Sequence, residues 1–88
     1  MKQYTLVIGG EPVATSHHAP VANPSNGDVV GFMPLASEAD LDRAVAAAAE
    51  AFKNWSQTSS QERAKACRAV AEKINEHAEE LAELLTRE

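Results

Sequence analysis

Cysteine occurs once in these 88 residues, at Cys67, so neither an internal disulfide framework nor a cysteine-rich zinc module can be built. A lone thiol suits a reducing, cytoplasmic setting. Aromatic residues make up only 5%, and alanine supplies much of the 44% apolar fraction. A small domain buries a modest share of its surface and usually concentrates large apolar side chains to compensate. This chain does not. Basic residues are outnumbered, 8 against 13 acidic, for a net charge of −5. That balance argues against nucleic acid or an anionic membrane as partner. No apolar run approaches the roughly 18 residues of a membrane span, and no basic-then-apolar leader opens the chain. The glycines Gly9, Gly10, Gly27 and Gly31 are too sparse for a Walker loop or a dinucleotide fingerprint. The expectation is one small acidic domain that either oligomerises or belongs to something larger.

What is present divides at residue 36. Residues 1–36 read as a β-hairpin region. Tyr4–Ile8 is rich in β-branched and aromatic residues, and Gly9-Gly10 follows as a turn. A return strand from Glu11 to Thr15 carries Pro12, which cannot donate to a ladder and confines it to an edge. In a second hairpin, Asn26-Gly27 suits a type I′ turn between Pro20–Ala22 and Asp28–Phe32. Pro34 ends this region.

Residues 37–88 read as helical. Ser37 with Asp40 has the form of a capping box, with Asp in place of the usual Glu or Gln. Leu41, Val45, Ala48, Phe52 and Trp55 then mark one helix face. Ser59 with Glu62 makes a more regular box. A second stripe follows: Cys67, Val70, Ile74, Ala78, Leu81, Leu85. Asn75 and His77 mark a place where this helix can kink or restart. The pattern is still running at Glu88, without a terminal Gly or Asn, which reads as a cut. The fold class is α+β: two hairpins, then two amphipathic helices, the second kinked near Asn75–His77.

Candidate chemistry is thin. Cys67 lies on the apolar stripe and reads as a buried, inert thiol rather than a nucleophile. His17 and His18 are adjacent on an extended segment, so they point to opposite faces and do not share an ion; with His77 they read as solvated loop residues. Glu76, Glu79, Glu80 and Glu83 form the solvated face of a helix. No catalytic, cofactor-binding or metal residue is assigned.

The order of the segments resembles the aldehyde dehydrogenase superfamily. Leu6–Glu11 is similar to its opening strand and turn. Val21–Gly31, with Asn23-Pro24 and Gly27-Asp28, resembles its Asn-Pro-x-x-Gly-Glu-x-x-Gly hairpin. Asp40–Ala48 with Ala51-Phe52 and Trp55 resembles its first helix; Glu62-Arg63-Ala64 and Ala78–Leu84 resemble its second. Pro12, where the family commonly has a large aromatic, and Cys67, where it has an aliphatic, depart from the pattern.

The resemblance implies an N-terminal piece of a larger dinucleotide-binding domain. The parent would oxidise an aldehyde to a carboxylate with NAD or NADP. A cysteine nucleophile, a glutamate base and oxyanion donors would all lie outside these 88 residues. Some members hold a monovalent cation through carbonyls at the positions of Val21 and Ala22; no metal is expected in this chain. The expected partners are the remainder of the parent polypeptide and a second copy of the chain, with no nucleic acid and no membrane. The two helix faces would contact each other and the dinucleotide domain. An independent acidic interaction module is the alternative reading.

Overall fold

The computed structural model describes residues 2–88. Five strands precede three helices: β1 (Lys2–Gln3), β2 (Leu6–Ile8), β3 (Glu11–Val13), β4 (His17–Ala22), β5 (Val29–Leu35), α1 (Glu38–Trp55), α2 (Ser60–Glu76) and α3 (Ala78–Arg87). The α+β class and both hairpins agree with the sequence reading. β2 and β3 form a two-stranded antiparallel sheet. The second sheet has the order β1-β5-β4, with β1 parallel and β4 antiparallel to β5.

Turn chemistry differs from expectation. Positive φ at two successive residues, the demand of a type I′ turn, occurs at Gly9 (60°) and Gly10 (81°) in the first hairpin. In the second, only Gly27 has positive φ (78°), so Asn26-Gly27 is not a type I′ pair. The loop closes instead through Gly27 N–H to Asn23 O and Asn23 N–H to Asp28 O, both 2.7 Å. The Asn23 and Asn26 carboxamide oxygens each accept a backbone N–H two residues on.

Strand boundaries also shift. Tyr4 and Thr5 fall between β1 and β2, and β3 stops at Val13 rather than Thr15. β4 begins at His17, so His17 and His18 lie in a strand, opposite Leu35 and Pro34, and not in a loop. Pro34 lies inside β5 rather than ending the region. The reason is geometric. Phe32 accepts the Tyr4 N–H on the β1 side at 3.0 Å, and β1 pairs only as far as Phe32. Residues of a strand alternate in direction, so Pro34 points its missing donor the same way, past the end of β1, where none is needed.

Both helix starts were legible, though their relative quality is reversed. At α1 the box is complete: Ser37 Oγ accepts the Asp40 N–H and the Asp40 carboxylate accepts the Ser37 N–H. At α2 only the Ser59 half is made, from Glu62 N–H at 3.1 Å. The expected kink is a full break at His77, whose φ of −110° and ψ of 18° separate α2 from α3.

Packing departs most from the sequence reading. Among the described residues no hydrophobic side chain is buried. The radius of gyration is 16.5 Å, against about 12 Å for a compact domain of this length. α1 turns Ala44 and Ala47 toward the first hairpin, where Gly9 approaches Ala47 closely enough that an added Cβ would sit 3.8 Å from its methyl. Its large stripe faces outward: Leu41, Val45, Phe52 and Trp55 are all exposed. The small alanine face fits the hairpin because the two backbones can approach, and the bulky face is left without a cover. α1 and α2 do not lay their stripes against each other. Cys67 is exposed as well, which corrects the expectation of a buried thiol.

Candidate functional site

Three places on the surface gather chemistry or shape. In the first, Asp40 is the buried charged residue among those described. Its carboxylate takes hydrogen bonds from the Ser37 backbone N–H at 3.0 Å and from the Arg43 guanidinium. The Ser37 backbone, then the Ser37 hydroxyl, then Arg43 hold its carboxyl below the usual carboxylate value, with burial opposing them. An open cleft beside it is lined by Thr15, Ser16, His17, Leu35 and Arg43. Both Asp40 oxygens are committed to capping and pairing, so this carboxylate is a structural group rather than a free base.

The second place is an apolar groove between the body of β5 and α3. Tyr4, Val21, Phe32 and Met33 face Leu84 across it, and half-buried Leu84 ties α3 to the three-stranded sheet. Gly31 is buried at its floor. A Cβ there would lie 3.2 Å from the Lys2 carbonyl oxygen and 3.2 Å from the Tyr4 ring. An isolated glycine within a strand is the sequence signal for such a close backbone approach.

The third place is a shallow groove spanning the α2–α3 break. Val70, Ile74 and Leu81 make its apolar floor, and Lys73, His77 and Glu80 its charged rim. His77 Nδ1 lies 3.2 Å from Glu80, far from His17 and His18 in chain and element. Among the described residues no three His, Cys, Asp or Glu side chains gather as a metal-ligand set. Val21 and Ala22, the positions that resemblance associates with a cation, flank an irregularity in β4 pairing.

The starts of α1 and α2 do not fit a dinucleotide. Its phosphates need free backbone N–H groups at a glycine-lined helix start. Here the helix starts at Ser37 and Ser59 spend an N–H on their own cap side chains, and no glycine opens a helix. Nor is any described helix long and apolar enough to cross a membrane.

The aldehyde dehydrogenase family model matches residues 13–88. A probable aldehyde dehydrogenase from a Pseudomonas species is 42% identical over 85 residues, covering 97% of this chain. A malonate-semialdehyde dehydrogenase 1 from Geobacillus thermodenitrificans is 45% identical over 83 residues, and an aminoaldehyde dehydrogenase 2 from Solanum lycopersicum 44% over 85, each covering 92%. In all three the match spans 17% of the relative's length. With hairpins, caps and helices in the order of the family's N-terminal segment, the chain belongs to the aldehyde dehydrogenase family.

Proposed function

We propose that this chain is a structural segment of an aldehyde dehydrogenase, forming an outer layer on the domain that binds NAD or NADP. The exposed α1 stripe carries this reading. Leu41, Val45, Phe52 and Trp55 occupy helix-face positions yet stand 46–64% exposed. A soluble helix with such a stripe buries it against another element, and here the remainder of the family's polypeptide is that element. The parent oxidises an aldehyde to a carboxylate in the cytoplasm, with the reacting groups supplied from outside these 88 residues.

The test is complementation. The chain is mixed with a polypeptide comprising the rest of the Geobacillus relative, and binding is read by native mass spectrometry. Aldehyde-dependent NAD(P)H production is followed in parallel. Association is expected, and Phe52→Glu or Trp55→Glu should weaken it while leaving the helicity of the chain unchanged, since both side chains already face water. Failure to associate would favour an independent interaction module. Turnover by the chain alone would contradict the reading outright.

A further inference from the structure

Asn26 and Gly27 lie in the loop that joins β4 to β5, and both are exposed. Among the asparagines of the chain, only Asn26 precedes a glycine: Pro24 follows Asn23, Trp55 follows Asn54 and Glu76 follows Asn75. Proline has no backbone N–H to lose, and a Trp or Glu side chain crowds an approach that glycine leaves open. The reaction open to Asn26 is intramolecular. A solvent base takes the Gly27 amide proton, and the Gly27 nitrogen bonds to Asn26 Cγ. The Cγ–Nδ2 bond breaks, and that nitrogen takes up a proton and leaves as ammonia. Water then opens the cyclic imide. Cleavage of the new N–Cγ bond gives aspartate. Cleavage at the former Asn26 backbone carbonyl gives isoaspartate, whose main chain runs through the side chain. Nothing is oxidised or reduced.

The fold engages both reacting groups. Gly27 N–H donates to Asn23 O at 2.7 Å, and Asn26 Oδ1 accepts the Asp28 N–H at 2.9 Å. Taking the Gly27 proton while its bond stands would aim a bare nitrogen charge at a carbonyl oxygen. A carboxamide held by its oxygen is not free to turn its carbon toward that nitrogen. Asn23 is fixed in turn: its N–H donates to Asp28 O at 2.7 Å and its Oδ1 accepts the Ser25 N–H at 2.9 Å. We infer that Asn26 is a deamidation site gated by this loop, reacting with the Gly27 nitrogen only when Gly27 N–H and Asn23 O part. All of these bonds close within residues 23–28, so the gate works whatever polypeptide adjoins the chain. The product holds the gate open. Isoaspartate adds a carbon to the main chain between residues 26 and 27 and displaces the Gly27 donor from Asn23. Aspartate keeps the backbone path and an oxygen to accept the Asp28 N–H, so only isoaspartate disrupts the hairpin.

The test incubates the 88-residue chain at mildly alkaline pH and follows residue 26 by peptide mapping, with aspartate and isoaspartate separated before mass spectrometry. Deamidation at Asn26 should be roughly tenfold or more slower in buffer than in urea, with Asn54 and Asn75 intact in both. Asn23→Ala removes the bond to the Ser25 N–H and should speed the reaction in buffer by roughly threefold to tenfold, the population change that one lost hydrogen bond produces. Its helicity should match the wild type. Asn23→Asp keeps an acceptor oxygen and should react at the wild-type rate. Amide exchange in β4 and β5 should quicken in the isolated isoaspartate form and stay unchanged in Asn26→Asp. Equal rates in buffer and urea would overturn the inference. So would an Asn23→Ala chain that reacts no faster than Asn23→Asp, or an isoaspartate form whose hairpin exchanges like that of Asn26→Asp.

Discussion

Gly31 and Gly27 are needed for opposite reasons, and replacing each separates them. At Gly31 the backbone has no positive φ, so alanine brings no torsional strain there. Its Cβ would instead sit 3.2 Å from the Lys2 carbonyl oxygen, a backbone atom, and 3.2 Å from the Tyr4 ring. The ring can swing aside; the carbonyl moves only if β1 moves. Overpacking of this kind costs about 1–3 kcal/mol, and β1 is two residues long, so release of β1 is the easiest relief. At Gly27 nothing lies within 4 Å, but φ is 78°, which costs a non-glycine residue about 1–2 kcal/mol. The assay is amide hydrogen exchange at Tyr4, whose N–H bonds Phe32 O in the wild type. Gly31→Ala should speed that exchange by roughly tenfold or more, while Gly27→Ala should leave it alone and loosen residues 23–28. Asparagine tolerates positive φ, so Gly27→Asn should be milder than Gly27→Ala. Gly31→Asn should be worse than Gly31→Ala. Unchanged Tyr4 exchange in Gly31→Ala, or the reverse order of Asn and Ala at either site, would refute the steric reasoning.

Cys67, being exposed, should react with a thiol reagent at similar rates before and after denaturation; strong protection in the folded chain would contradict its placement. Ser59→Ala should cost about 1 kcal/mol of α2 stability, and Ser37→Ala should reduce helicity more, because it removes half of a reciprocal pair and disturbs buried Asp40; equal losses by circular dichroism would argue against the complete box. Asp40 has a folded value lowered from 3.8, so its contribution to α1 is present above the unfolded value and is lost as pH falls through the lower folded one. Helicity should therefore drop below pH 3.8 in a step that Asp40→Asn removes, and an unaltered acid profile in that variant would refute the assignment.

Local signals in this sequence were readable, and tertiary ones were not. Ser37 and Ser59 marked both helix starts because a cap is satisfied within three residues of itself. The break at His77 was legible for the same reason, since no distant partner is needed to end a helix there. Pro12 sits opposite Val7 in a two-stranded hairpin, as an edge residue should. Apart from the Asn26-Gly27 turn type and the relative quality of the two capping boxes, the failures involved partners far along the chain. Pro34 reads as a terminator until β1 is seen to stop at Phe32. Leu41, Val45, Phe52 and Trp55 do form one face, yet periodicity gives a face without saying what covers it. The same gap explains Cys67, whose place on a stripe predicts burial that no neighbouring element supplies. Of the surface sites, the Ser37–Asp40 pair was legible; the α2–α3 groove was not, because a break in a helix shows itself in sequence while the concavity it creates does not.

The placement of β1 carries a consequence for the order of folding. Lys2 pairs with Gly31, 29 positions on, whereas the β4–β5 hairpin closes between Ala22 and Val29, seven apart. Chain closure costs about 0.6 kcal/mol more for each doubling of the loop, so seating β1 carries roughly 1.2 kcal/mol beyond the hairpin's own closure. Only two residues of pairing repay it. The hairpin should thus form early and act as a template, and β1 should join last. During synthesis β1 waits for β5: residues 2 and 3 cannot pair in this sheet until Gly31 and Phe32 have left the ribosome and folded back on β4.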